Sequence, residues 1–144
     1  MGCDIHVHVE VKHETLGWLH YNHPRVERSY ALFYAMAGVR PSDDWKHDVI
    51  AQPRGLPDDA NVTTRLDYEK WDGDAHTASW LERDDIKKLE KWLNEWTAKH
   101  DVRDRWCPLE SRFGYLFGNS LAFNRDESYP SWMTDVRLVF WFDN

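Results

Sequence analysis

The amino-acid sequence predicts an α+β fold in which an antiparallel or mixed sheet carries helices packed mainly on one face. Both ends of the chain alternate between apolar and polar residues with the two-residue period of a β-strand. Between these ends lies an apolar stripe at helical spacing. The 144 residues fit one domain and contain no internal repeat, low-complexity segment or linker, so residues 1–144 are predicted to form a single domain.

The N-terminal segment predicts a β-hairpin. From residue 3 to residue 12 apolar side chains alternate strictly with polar ones, which places the two kinds on opposite faces of one strand. The polar face begins with four titratable residues, which are Asp4, His6, His8 and Glu10. Residues 13–15 indicate a turn, and residues 16–21 indicate the second strand.

The middle of the chain predicts helices separated by a long loop. Ser29 and Gly38 are suitable first and last residues for a short helix between them. Residues 41–61 are rich in proline, glycine and aspartate, which indicates a long ordered loop of the kind that often carries function. The clearest helix is predicted over residues 84–99, and a weaker one over 109–117. The stripe of the clearest helix consists of Ile86, Leu89, Leu93 and Trp96.

The C-terminal segment predicts a central strand that pairs with the first one. It is too apolar to form an exposed edge, and its apolar face must meet the same core as that of the first strand. If the two strands are neighbours, their polar side chains share one surface with cross-strand distances of about 4.5–5.5 Å. That surface would combine the four N-terminal titratable residues with Arg137, Trp141 and Asp143.

Composition excludes several classes of protein. A net charge of −7 disfavours a general nucleic-acid binder, which needs a basic face. No apolar run approaches the ~20 residues of a membrane span, and no secretory leader is expected at the N-terminus. Two cysteines, Cys3 and Cys107, favour a reduced intracellular protein over a disulfide framework. Nine tryptophans, with a mean hydropathy of only −0.75, indicate that aromatic rings fill much of the core and that some remain for a ligand.

The predicted polar surface has three interpretations. A divalent metal such as Zn²⁺ or Mn²⁺ would find three ligands in Asp4, His6 and Asp143. Alternatively, His6 would act as a general acid or base, oriented by Asp4 or Glu10. The third interpretation is an ordinary solvated sheet face. The density of titratable groups does not decide between them.

Two further residues are candidates for chemistry. His76 follows a glycine-containing turn and is a candidate catalytic residue, although the segment is also typical of a helix entry with Trp80 as a core anchor. Arg54 lies between proline and glycine, where it would clamp a phosphate or carboxylate, or pair with Asp58 or Asp59 to hold the loop. No Walker loop, Rossmann fingerprint, nucleophile elbow, HExxH or CxxC motif is present.

Five segments resemble a family of small proteins encoded mainly by bacteriophages and prophages. They are MGCDIH with Glu10, RSYALFYAMAGVR, PRGLPDD, HTASWL and VRLVFWFDN. The chain departs from the typical pattern at Glu82, which changes the start of the following helix. It also has His8 where the family often has an aromatic or aliphatic residue, so the resemblance favours His6 over His8 as a functional residue.

The resemblance implies a role against host immunity, by analogy with other phage proteins of this size. In that case the protein is a cytoplasmic anti-defence protein of the host cell that sequesters a nucleotide-type signal, such as a cyclic oligonucleotide or cyclic ADP-ribose, and it allows assembly as a homo-oligomer. Such a ligand needs aromatic stacking, arginine for its phosphates, and histidine or carboxylate for its hydroxyls. The expected ligand-binding residues are Asp4, His6, Glu10, Arg54, Trp80, Arg137, Trp141 and Asp143.

Two alternative functions remain open. The protein would be a phosphodiesterase or related hydrolase of such a nucleotide if Asp4, His6 and His76 were catalytic, with or without a divalent metal. It would be a protein-binding inhibitor of a host defence factor if exposed aromatic residues formed binding hot spots.

Overall fold

A computed structural model of the protein describes residues 2–45, 47–99 and 130–144. These residues form a four-stranded antiparallel sheet and three α-helices, which confirms the predicted α+β class. In chain order the elements are β1 (Asp4–His13), β2 (Gly17–Asn22), α1 (Tyr30–Ala37), α2 (Val62–Trp71), β3 (Ala75–Glu82), α3 (Arg83–Lys99) and β4 (Met133–Asp143). The helix predicted over residues 109–117 and Cys107 lie outside the described residues.

The two terminal strands are neighbours at the centre of the sheet. The strand order is β2-β1-β4-β3, and β1 pairs with β4 so that Asp4 lies opposite Asp143 and Glu10 opposite Arg137. The pairing of the first and last strands and the N-terminal hairpin are therefore confirmed. Both predictions succeeded because strict alternation assigns each side chain to one face of a strand.

The apolar face of the sheet is covered by α1 and α3. Ser29 caps α1 by accepting a hydrogen bond from the backbone of Leu32, and Gly38 ends it in the left-handed conformation with φ of 72°. The helices bury Phe33 and Leu89 completely, and Phe33 meets Phe142 of β4 edge to face. This core includes the apolar residues of β1 and β4.

The opposite face is covered by α2, which the sequence did not predict. The apolar residues Val62 and Leu66 of this helix point outward and are 65% and 62% exposed. Its inner side instead carries polar and aromatic residues at helical spacing, which are Thr64, Asp67, Tyr68 and Trp71. A search for apolar periodicity misses a helix whose buried side is polar. The prediction of helices mainly on one face holds for two of the three.

The edge strand β3 also escaped prediction. Its pairing with β4 shifts between His76 and Ser79, where Thr77 adopts a φ of 53°. This irregularity breaks the alternation by which a strand is recognised. Between α1 and α2 the described residues contain no helix or strand, as the composition of the loop predicts. None of the helices within the described residues is long and apolar enough to cross a membrane.

Asn61 joins the start of α2 to the hairpin, and Asn61→Ala should lower the free energy of unfolding by about 1–2 kcal/mol. Its Oδ1 accepts a hydrogen bond from the backbone of Thr63 at 2.9 Å, and its Nδ2 donates to the carbonyl of Trp18 at 3.0 Å. Urea denaturation measures the change. Thr63→Ala, on the exposed side of the helix, is the matched control and should cost less than about 0.5 kcal/mol. Equal effects of the two substitutions would contradict the capping role.

Candidate functional site

The four alternating titratable residues of β1, called here the polar row, each meet a different partner. The partners come from α2, from β4 and from the chain between β2 and α1. The four pairs are Asp4 with Arg28, His6 with Asp143, His8 with Asp67, and Glu10 with Arg137. The polar face of β1 is therefore a row of distinct polar contacts, of which the Asp4–Arg28 pair is exposed.

Helix α2 follows the polar row in the reverse direction. Thr64 contacts Glu10, Asp67 contacts His8, and the Trp71 ring lies 4.2 Å from that of His6. The seven residue steps from Thr64 to Trp71 rise about 10 Å along the helix, and the four steps from Glu10 to His6 span about 13 Å along the strand. These two lengths are similar, so one helix can contact three alternate residues of the strand.

Glu10 forms a buried ion pair. The carboxylate has no exposed surface, and Nε and Nη2 of Arg137 lie 2.8 and 2.7 Å from its Oε1. The Thr64 hydroxyl and the backbone of Asn61 donate to Oε2 at 2.6 and 2.9 Å. Arg137 also binds Asp59 at 2.9 Å and lowers the pKa of that carboxyl. Both carboxylate oxygens of Glu10 therefore have hydrogen-bond partners, and the residue is buried beneath α2.

Three histidines and one aspartate, called here the histidine cluster, surround the middle of the polar row. Its members are His8, His20, His23 and Asp67. His8 contacts His20 through Nδ1 at 2.8 Å and Asp67 through Nε2 at 2.7 Å. Its ring stacks on that of His23 with centroids 4.0 Å apart. Burial lowers the pKa of His8 to about 4, against the opposing effect of Asp67, so His8 is neutral at neutral pH.

His6 and Asp143 lie at a cleft, called here the strand-end cleft. His6 Nε2 is 2.5 Å from Asp143 Oδ2, a diagonal contact across the two central strands. The cleft measures about 820 Å³ and is also lined by Asp4, Trp71 and residues 23–28. Asp4 accepts two hydrogen bonds from Arg28, both of 3.0 Å, which lower the pKa of the Asp4 carboxyl.

Arg54, Trp80 and Arg137 line a second cleft of about 590 Å³, called here the Trp80 cleft. Arg54 donates from Nη1 to Asp85 at 2.8 Å and to the Trp80 carbonyl at 2.7 Å, and its guanidinium lies 4.7 Å from the Trp80 ring. The carboxylate that holds Arg54 is therefore Asp85, and the predicted pairing with Asp58 or Asp59 is wrong.

The structure thus divides the predicted ligand-binding residues between two clefts. Asp4, His6 and Asp143 line the strand-end cleft, and Arg54, Trp80 and Arg137 line the Trp80 cleft. Glu10 and Trp141 line neither and are fully buried. The Trp141 ring lies beneath His8 and Tyr68 at 5.2 Å from each, which makes it a floor for the polar row rather than a stacking surface.

His76 does not join the other candidate catalytic residues. It lies opposite Phe142 in the sheet and its ring stacks on that residue, which belongs to the apolar core. Paired residues of neighbouring strands point to the same face, so His76 lies on the other side of the sheet from His6. The combination of Asp4, His6 and His76 expected for a hydrolase is therefore not assembled.

The structure also favours a metal-ligand set different from the predicted one. Asp4 is occupied by Arg28, which leaves only the His6–Asp143 pair of the set Asp4, His6 and Asp143. Among the described residues, the group with atoms close enough to share a metal ion is His8, His23 and Asp67. Sequence reasoning overlooked His20 and His23, although their spacing was visible, and Asp67, which lies on the helix that was not predicted.

No family model, curated protein or solved structure matches this chain. The resemblance to the phage-encoded family consequently stays a prediction from the sequence.

Proposed function

We propose that the protein binds a small phosphorylated ligand of the nucleotide type in the strand-end cleft. The observation that carries this proposal is the composition of the cleft. Its volume of about 820 Å³ falls in the range of small-molecule sites, roughly 300–1,000 Å³. Around it stand an aromatic ring, two arginines and a hydrogen-bonded histidine–carboxylate pair, which are Trp71, Arg25 with Arg28, and His6 with Asp143.

Each part of a nucleotide has a complement in this cleft. The half-buried ring of Trp71 offers a face on which a base can stack, a contact worth about 1–3 kcal/mol in single-stranded nucleic-acid sites. Arg25 provides positive charge for phosphates. Arg28 is paired with Asp4 and neutralises this carboxylate, which would otherwise repel the phosphates. His6 and Asp143 provide donors and acceptors for ribose hydroxyls.

In this proposal the ligand is an immune signal of the cyclic oligonucleotide or cyclic ADP-ribose type, and the protein sequesters it. The support for this role comes from the sequence resemblance to phage-encoded proteins, which also supplies the host cytoplasm as the location. The net charge of −7 and the mixed charges of the cleft support a small ligand over a nucleic-acid strand. Assembly as a homo-oligomer is compatible with sequestration but is not required by it.

Hydrolysis of the same ligand is the second candidate function. It is favoured by the contact between the His6 ring and the Asp143 carboxylate. A carboxylate that orients an imidazole is the usual arrangement of a general base, which would take a proton from the attacking water. In this version Asp143 replaces Asp4 as the positioning residue, and a divalent metal is an optional addition.

One experiment separates the two functions. The purified protein is incubated with a panel of cyclic dinucleotides, cyclic trinucleotides and cyclic ADP-ribose isomers, then separated from free ligand, heat-denatured and analysed by chromatography. Recovery of intact ligand is the expected result and supports sequestration. Altered ligand supports hydrolysis, and His6→Ala should then abolish turnover. Depletion of no ligand would contradict both and favour a protein partner.

Trp71→Ala should weaken binding of the recovered ligand by about 5- to 150-fold if the base stacks on this ring. Trp80→Ala provides the comparison, because this tryptophan lies beside an arginine in the other cleft. Isothermal titration calorimetry measures both variants. A loss with Trp80→Ala and none with Trp71→Ala would place the ligand in the Trp80 cleft and overturn the assignment.

A further inference from the structure

The histidine cluster places a ring nitrogen of His23 beside a carboxylate oxygen of Asp67. His23 Nδ1 lies 2.8 Å from the carbonyl of Val7, which can only accept, so in the neutral ring Nδ1 carries the proton and Nε2 has a lone pair. That Nε2 faces Asp67 Oδ2 at 3.8 Å. In the neutral ring His23 Nε2 supplies no proton to Asp67, whose Oδ2 already contacts His8 Nε2 at 2.7 Å. A cation bound beside these atoms would use the lone pair of His23 Nε2 and a further lone pair of the carboxylate.

His8 completes a set of three potential metal ligands. One ring nitrogen of His8, one of His23 and an oxygen of Asp67 all lie within 4.8 Å of one another, and the His8 nitrogen that faces Asp67 is Nε2. Two imidazole nitrogens and one carboxylate oxygen form a ligand set that zinc uses where it keeps an open coordination position. The three groups come from β1, from the chain after β2 and from α2, so an ion would join three separate parts of the fold.

His8 and His23 each have a partner on the ring nitrogen that faces away from the three potential ligand atoms. His23 donates to Val7, and His8 Nδ1 lies 2.8 Å from Nε2 of His20. Metal-ligating histidines are typically oriented by an acceptor on their second nitrogen. In the absence of metal, His20 donates to His8, which donates to Asp67. With metal on His8 Nε2, His8 donates to His20, and both rings change tautomer without net loss of a proton.

We propose that His8, His23 and Asp67 bind one divalent transition-metal ion, best matched by Zn²⁺, and that His20 orients His8 from outside the coordination sphere. The stacked rings of His8 and His23 are inclined by 11°, so His23 must turn for both lone pairs to meet one ion. Its side chain is 48% exposed, which gives it the space. His23 also lines the strand-end cleft, so the proposed metal site adjoins that cleft.

The site is tested with metal alone, independently of any nucleotide. The full chain is stripped with a chelator, dialysed and titrated with Zn²⁺ in competition with a chromophoric chelator. Binding of one equivalent and a rise in the thermal unfolding temperature are expected. Co²⁺ gives a second readout, since a four-coordinate site with two nitrogen ligands should produce visible absorption bands stronger than those of hydrated Co²⁺. A stripped protein that binds no equivalent of either ion would overturn the proposal.

Four variants locate the ion. His23→Ala and Asp67→Asn should each weaken Zn²⁺ binding by at least 100-fold, and circular dichroism checks that they remain folded. His20→Ala should weaken it by about 10- to 100-fold, as expected for a residue that orients a ligand. His13→Ala, at the far end of β1, is the matched control and should bind as the parent protein does. Parent-like binding by both His23→Ala and Asp67→Asn would overturn the assignment.

Discussion

Replacement of Arg137 by methionine is expected to destabilise the protein by about 3–5 kcal/mol. The substitution leaves the fully buried Glu10 carboxylate without the guanidinium that lies 2.7 and 2.8 Å from it. A buried charge without a partner is far more costly than the loss of an exposed one, because no water replaces the missing contact. Urea denaturation at neutral pH measures the change in the free energy of unfolding.

Arg28→Met is the matched control for this effect. It breaks an arginine–carboxylate pair of similar geometry with Asp4, but the two side chains are 44% and 51% exposed. The expected cost is below about 1 kcal/mol, as for other exposed ion pairs. The double variant Glu10→Gln, Arg137→Met should recover part of the loss, since a neutral amide oxygen can still accept from Thr64 and Asn61. Equal costs for Arg137→Met and Arg28→Met would contradict the role assigned to burial.

Removal of the Trp141 ring is the second substitution with a large expected effect. Trp141→Ala should cost about 3–5 kcal/mol, because the ring is fully buried and its loss leaves a cavity beneath His8 and Tyr68. The same loss should free His6 and His8 from their packing against the indole. Urea denaturation reports the stability, and histidine ring signals in NMR spectra report the ordering.

Trp141→Phe separates the stabilisation by ring volume from the penalty of burying an unpaired indole N–H. The indole Nε1 is buried and has no hydrogen-bond partner among the described residues. Phenylalanine keeps part of the ring volume and removes this donor, whose burial alone carries a penalty of about 1–3 kcal/mol. We expect Trp141→Phe to cost less than half as much as Trp141→Ala. Comparable costs would show that the ring volume is not what stabilises the polar row.

The centre of the sheet could be predicted from the sequence because alternation is a local property. Along β1 and β4 the polarity of each residue indicates which face of the sheet it occupies. Because each strand has an apolar face, the two faces must be buried in the same core. This reasoning also brought His6 and Asp143 together, since they lie on one face at adjacent ends of paired strands. The helix α3 followed from its apolar stripe for the same reason.

The remaining part of the site depends on contacts between distant segments. Asp67 faces His8 only because α2 lies over the sheet, and that helix turns Val62 and Leu66 to the outside. His23 joins the same cluster from a segment that is neither helix nor strand. Neither placement leaves an apolar periodic pattern in the sequence, because polar recognition depends on individual atoms and not on a repeated apolar face.

The different coverings of the two sheet faces imply different rules for sequence divergence. On the side of α1 and α3, apolar residues of similar volume can replace one another, because packing depends on shape and not on donors and acceptors. On the side of α2, a change at Glu10 requires a change at Arg137, and a change at His8 requires one at Asp67. Homologous chains should therefore drift position by position on one face and exchange residues in pairs on the other.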